Sequence, residues 1–150
     1  MTMVKLPPPI WALICVLAAA AISWSLGWPK LLGQLNAALG IALVAAALFL
    51  MFWAVVVFRR EDTEVNPTSR TNRKLVIYGP YRFSRNPMYL GLVTITLGIA
   101  VWVGAWPMLI APIAVFTILN WVHIPFEEAK MRRQFGATYD QYVERVRRWV

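Results

Sequence analysis

Apolar residues in this chain gather in long unbroken blocks instead of alternating with polar ones, and the blocks predict membrane-crossing helices. Residues 10–26 carry no charge and follow Pro7, Pro8 and Pro9. Proline is tolerated at a helix start, where its missing N–H has no intrahelical partner to lose. Lys5 ahead of an apolar core also fits a signal peptide. Trp24 and Trp28 stand where an interfacial aromatic belt would be, and no small-residue cleavage pattern follows, so a retained span is expected. After a short turn holding Gly27, Pro29, Lys30 and Gly33, residues 35–58 give 24 positions without a charge. At 1.5 Å per residue that run crosses an apolar layer of about 30 Å with some tilt. Arg59 and Arg60 close it.

Two further apolar runs, 88–103 and 108–122, are separated by Gly104-Ala105-Trp106-Pro107 and predict a tight helical hairpin. Both are short for independent spans, so flanking residues are expected to extend them. Beyond Glu127 the pattern changes. Met131, Phe135, Tyr139, Tyr142, Val146 and Trp149 recur at three- and four-residue steps among Lys and Arg, which predicts a basic amphipathic helical segment on the membrane surface. A break is expected near Gly136, with a restart at Thr138 and Gln141 completing a capping box. The fold class expected is an all-α integral membrane protein. It has one domain, about four transmembrane helices and a cytoplasmic C-terminal amphipathic segment.

Composition agrees: 59% of residues are hydrophobic and 15% charged, against about 25% charged in soluble domains. The net charge of +8 raises nucleic-acid binding as a reading. The basic residues flank apolar spans, however, as the positive-inside bias requires, so no nucleic-acid partner is expected. Of 15 Lys and Arg, seven fall in 59–85 and six in 130–148, leaving Lys5 and Lys30. Both basic segments therefore belong on the cytoplasmic side, with both termini inside and the Lys30 and Trp106 turns outside. The single cysteine, Cys15, excludes a disulfide framework within the chain.

The two basic segments, 75–91 and 123–150, then share one membrane face and hold the polar groups able to do chemistry. The first offers Tyr78, Tyr81, Arg82, Arg85, Asn86 and Tyr89; the second offers His123, Glu127, Glu128, Arg132 and Arg133. Ionisable groups at a membrane edge are candidates for function. Each also has a plain role. The tyrosines suit an aromatic belt, the arginines flank spans, and Asn86-Pro87 starts a helix. Glu127 and Glu128 suit a helix N-terminus, and the lone His123 is no metal site.

Taken together, two stretches resemble a family. Leu75-Val-Ile-Tyr-Gly-Pro-Tyr-Arg-Phe-Ser-Arg-Asn-Pro-Met-Tyr-Leu-Gly91 is similar to the signature of the isoprenylcysteine carboxyl methyltransferase and phospholipid methyltransferase superfamily. Glu127-Glu128 followed by Phe135-Gly136, Tyr139, Tyr142 and Val146 matches its second motif. The resemblance covers about half the chain and implies a membrane enzyme that transfers methyl from S-adenosyl-L-methionine. It implies a cofactor site lined by Leu75, Val76, Tyr81, Arg82, Arg85, Asn86 and Glu127, and catalytic positions at Asn86, Tyr89 and His123. Asn86 replaces a common His, and His123 falls where some members carry a substrate-side Arg. The chemistry is compatible: aromatic faces and a carboxylate suit a sulfonium and an ammonium, and Arg82 or Arg85 suits the cofactor's carboxylate. No metal is required.

The acceptor implied is hydrophobic or lipid-borne, reacting through a carboxylate, amine or thiol, and membrane lipids are the surrounding partners. A non-catalytic membrane scaffold with a degenerate cofactor site is the alternative. A transporter ranks third, because it would want charge in mid-membrane and these spans carry none.

Overall fold

The structure is a computed structural model that describes residues 6–30, 36–60 and 75–150. Among the described residues six α-helices carry the fold: α1 (Pro8–Ser25), α2 (Asn36–Arg60), α3 (Pro87–Val103), α4 (Ile110–Ile118), α5 (Ile124–Phe135) and α6 (Ala137–Arg145). Among the described residues there is no strand, only one isolated antiparallel bridge between Lys30 and Ala105. The protein is an all-α membrane protein. α1, α2 and a continuous rod over Trp106–Phe135 are each long and apolar enough to cross a membrane, and α3 is a shorter apolar helix.

Their surfaces explain why. Leu13, Leu17, Leu39, Ile41, Leu48, Phe49, Phe52 and Ile113 all stand exposed on the helix faces. A helix that is apolar all round finds a favourable surrounding only in a core or in lipid. Only 17% of the apolar window of α2 is buried within the chain, which leaves lipid as the medium for the rest.

α2 and α3 lie in close contact through glycines. A Cβ on Gly40 would come within 2.6 Å of the Trp102 backbone nitrogen, and one on Gly98 within 2.9 Å of the Gly40 carbonyl oxygen. Small residues that let two backbones approach are the usual basis of helix association in lipid, where apolar burial gives no advantage over the solvent. α1 packs against α3, α4 and the turn between them through Ala19, Ala100, Ala105, Met108 and Ala111.

At one end of the bundle the Trp28–Lys30 turn meets the Gly104–Trp106 turn, with the Trp106 N–H donating to the Pro29 carbonyl at 3.1 Å. Gly104 ends α3 with φ 73, a left-handed conformation that costs glycine least. The segment 75–86, α5, α6 and the C-terminal tail assemble at the opposite end.

The apolar run 108–122, short for a span by itself, is extended by flanking residues into a rod that reaches Phe135 through a π-helical turn at Leu119–His123. There the Ile124 N–H reaches back five residues to the Leu119 carbonyl. The widened turn precedes Pro125, whose missing N–H and bulky ring would disturb a regular α-helical ladder at this point. The restart after Gly136 does not use Thr138 as a capping box. α6 begins at Ala137 with Gly136 at the cap and no side-chain capping bond, while the Gly136 carbonyl takes the N–H groups of Tyr139 and Asp140.

Candidate functional site

The segment leading into α3 is built as a short shelf. Pro80 opens a 3-10 turn over Gly79–Arg82. Val76 and Tyr81 fold back against Ala54 and Val57 of α2, and the Tyr81 ring meets Phe58 at 5.0 Å between centroids. Burial, then the neighbouring Tyr142 and Glu127, holds the Tyr81 phenol far above its ordinary pKa, so it stays neutral. Asn86 is the cap residue of α3 and Pro87 its first residue, yet the Asn86 side chain does not cap. Its amide donates instead to the Arg148 carbonyl at 3.0 Å. Ser84 accepts the Asn86 N–H at 3.1 Å and donates to the same carbonyl at 3.4 Å.

One turn into α3, the buried Tyr89 hydroxyl donates to Glu127 Oε1 on α5. This contact joins residues 38 positions apart and ties the two sequence motifs side chain to side chain. His123 lies one helical turn before Glu127, an i, i+4 spacing that sets both on one face of the rod. It is only 3% exposed, and among the described residues its Nε2 has no hydrogen-bond partner.

The next residue, Glu128, faces a different set of groups. Arg148 grips it with Nη2 on Oε2 at 2.7 Å and Nε on Oε1 at 3.2 Å. Arg85 touches the same Oε1 through Nη2 at 3.3 Å. Asn120, inside the π-helical turn, accepts from Arg148 Nη1 at 3.3 Å and from the Trp149 indole at 3.0 Å. The Trp149 ring also lies 4.7 Å from Phe116. The tail is thus bonded at once to the α3 cap segment, the π-helical turn and α5.

α6 closes over the shelf from the side. Tyr139, Tyr142 and Val146 pack with Leu75, Met131 and Phe135. The Tyr142 hydroxyl donates to the Tyr81 carbonyl at 2.7 Å in a buried setting. Tyr142→Phe leaves that carbonyl unpaired, and should lower stability by about 1.5 kcal/mol, read as a shift in the unfolding midpoint in detergent. An unchanged midpoint would show the carbonyl to be satisfied another way. The exposed Arg132–Asp140 pair at 3.2 Å also links α5 and α6, but at such exposure it adds little.

Of the residues singled out from sequence, the fold gathers Val76, Tyr81, Tyr89 and Glu127 around the α3–α5 junction. Arg85 and Asn86, just ahead of α3, turn to Glu128 and to the Arg148 carbonyl of the tail. Leu75 joins the α6 cluster, and Arg82 stands exposed on the shelf's outer side. Sequence patterning sets Trp149 in the apolar repeat of the tail, but does not mark Arg148 or Asn120 as members of this assembly. The one available signal is Asn120 itself, an amide amid an apolar run, where a polar group needs a partner.

What this arrangement can do is hold a cation against aromatic faces and a carboxylate, next to an incompletely paired guanidinium. Residues 35–138 match the family model described as phospholipid methyltransferase. A probable protein-S-isoprenylcysteine O-methyltransferase of Oryza sativa subsp. indica is 35% identical over 80 residues, 49% of this chain and 38% of the rice protein. Its counterpart from Oryza sativa subsp. japonica matches to the same extent. An uncharacterized protein of Haemophilus influenzae is 33% identical over 63 residues, 42% of this chain and all of that protein. The matched region therefore spans well under half the length of the rice relatives. No solved structure matches. The family match covers more than half of the chain, and its two motifs meet in the Tyr89–Glu127 contact: the chain belongs to the phospholipid methyltransferase family.

Proposed function

We propose that the protein is a membrane-embedded S-adenosyl-L-methionine-dependent methyltransferase acting on a hydrophobic or lipid-borne acceptor at the cytoplasmic face. The observation that carries this reading is the Tyr89–Glu127 contact, which brings a carboxylate and two buried tyrosines together at the membrane edge. The residues present fit the cofactor. Arg85 has its side chain 10% exposed, and its Nε and Nη1 are buried without a partner among the described residues. A buried guanidinium in that state suits a carboxylate.

In this assignment Arg85 takes the carboxylate of the cofactor and Glu127 its ammonium. Tyr81 and Tyr89 offer ring faces to the positive charge. Val76 and Leu75 supply apolar lining, and Arg82 closes the exposed side. When bound, the cofactor supplies an activated methyl group, so the protein's part is alignment and exclusion of water. Tyr89 fixes the carboxylate of Glu127 by donating to one of its oxygens. His123, buried one turn deeper with Nε2 unpartnered among the described residues, is placed to hydrogen-bond the acceptor. Asn86 secures the cap of α3 to the tail. The rice relatives are named as O-methyltransferases of S-isoprenylcysteine, which supports an oxygen acceptor on an apolar carrier.

Purified protein in nanodiscs is expected to bind S-adenosyl-L-methionine saturably and to transfer labelled methyl into a lipid-soluble fraction when given membrane extract. Well-folded protein that binds no cofactor would favour the scaffold reading instead. The cytoplasmic placement has its own test in a Cys15→Ala background. Thr138→Cys, exposed on α6, should resist a membrane-impermeant maleimide applied to intact cells, and Trp24→Cys, 76% exposed at the other end, should react. The reverse pattern would invert the topology.

A further inference from the structure

Two arginines and one carboxylate share the buried space behind the α3 cap, and the division between them is unequal. Arg148 takes both oxygens of Glu128 in a forked grip, while Arg85 reaches only one, at 3.3 Å. The grip is held from both sides. Asn120 accepts from the Arg148 guanidinium, and Asn86 and Ser84 hold the Arg148 carbonyl. The following Trp149 is anchored on the same Asn120 oxygen. Glu128 and Arg85 have side chains only 9% and 10% exposed, whereas Arg148 reaches the carboxylate from the solvent side with 32% exposed, so Arg85 is the guanidinium shielded from water. The uncompensated charge rests on Arg85, whose Nε and Nη1 are the unpartnered atoms. Tyr139, the nearby phenol within hydrogen-bonding reach of Arg85, has its pKa raised by burial, so it stays neutral and supplies no countercharge.

We propose that Arg148 is a positioning residue that reserves Arg85 for the anionic end of the cofactor, by occupying the Glu128 carboxylate lying between them. This rests on the methyltransferase reading above. Without Arg148, Glu128 has Arg85 as its remaining cationic partner. The carboxylate then closes on Arg85 as a forked pair, because such a pair is the best arrangement for both groups once water is scarce. Arg85 is then neutralised and its free nitrogens are consumed.

The test is a set of binding titrations in nanodiscs with S-adenosyl-L-methionine and with its decarboxylated analogue, unfolding midpoints being recorded alongside. Arg148→Met should weaken cofactor binding about tenfold or more, the worth of a charge-assisted contact. Adding Glu128→Met to it should restore affinity to within about threefold of wild type, since a buried ion pair replaced by apolar residues is commonly tolerated. Arg148→Lys keeps the charge but not the fork, and should fall between. The decarboxylated analogue should bind weakly to wild type and be indifferent to Arg148→Met.

A purely structural tail predicts a double variant no better than Arg148→Met, and that result overturns the proposal. So does full affinity in Arg148→Lys, which folds with its charge intact should the Met variant fail to. Equal binding of both ligands to wild type removes Arg85 from the carboxylate and sinks this proposal alone. Failure of wild type to bind either ligand sinks the methyltransferase reading with it.

Discussion

Glu127→Gln is expected to weaken S-adenosyl-L-methionine binding by about tenfold or more while leaving the unfolding midpoint nearly unchanged. The substitution keeps an oxygen where Tyr89 donates, so the α3–α5 contact persists and the geometry of the junction is retained. What disappears is the negative charge facing the bound cation. In a setting shielded from water, a hydrogen bond to a charged partner contributes about 1.5–3 kcal/mol, roughly twice that to a neutral one. Tyr89→Phe makes the complementary change: the charge stays, but the hydroxyl that fixes it is gone. Its effect should be smaller in affinity and larger in methyl transfer, because alignment and not attraction is lost. Isothermal titration of both variants next to wild type checks the pair. Unaltered binding by Glu127→Gln would remove the carboxylate from the cofactor site.

Gly98→Leu in α3 should have the largest effect on folding. A side chain there points at the Gly40 carbonyl oxygen and the Val44 backbone nitrogen, at 2.9 and 3.1 Å from the first carbon alone. Backbone atoms of a neighbouring helix cannot rotate aside as a flexible side chain can. The two helices must separate, and overpacking of this kind costs roughly 3 kcal/mol or more. Gly40→Leu attacks the same seam from α2, where the Trp102 nitrogen lies 2.6 Å away, and should be equally damaging. Gly91→Ala is the contrast. Its nearest obstacle is the Met51 side chain, which can move, so a milder loss is expected. Unfolding of detergent-solubilised protein by SDS titration orders the three. A mild Gly98→Leu phenotype would mean that α2 and α3 are not in close backbone contact in the membrane.

The consequence for the site is direct. Tyr89 and Gly98 belong to one helix, and that helix is held against α2 by its glycines. The shelf that carries Tyr81 also rests on α2. Opening the seam therefore displaces two of the candidate cofactor contacts at once, which predicts loss of binding in any Gly98 variant that remains soluble.

The apolar blocks, their lengths and their basic flanks were enough to establish a helical membrane protein, because lipid penalises any unpaired backbone group and leaves helices as the simple solution. The order and spacing of 75–91 and 123–150 were enough to identify the family and to mark Tyr81, Tyr89 and Glu127 as neighbours. These features are local: each is written in consecutive residues. Tertiary structure alone decided the rest. Asn86 reads as a helix cap in sequence, but in the fold its amide holds the Arg148 carbonyl. The Glu127-Glu128 pair reads as one acidic feature. The fold divides it, Glu127 turning to Tyr89 and Glu128 to Arg85 and Arg148, because adjacent positions on a helix point about 100° apart. Trp149 belongs to the apolar repeat of the tail, but nothing along the chain pairs it with Asn120 or Arg148. The three meet because a π-helical turn and a returning tail bring together buried polar groups, and such groups must find partners wherever the backbone leaves them.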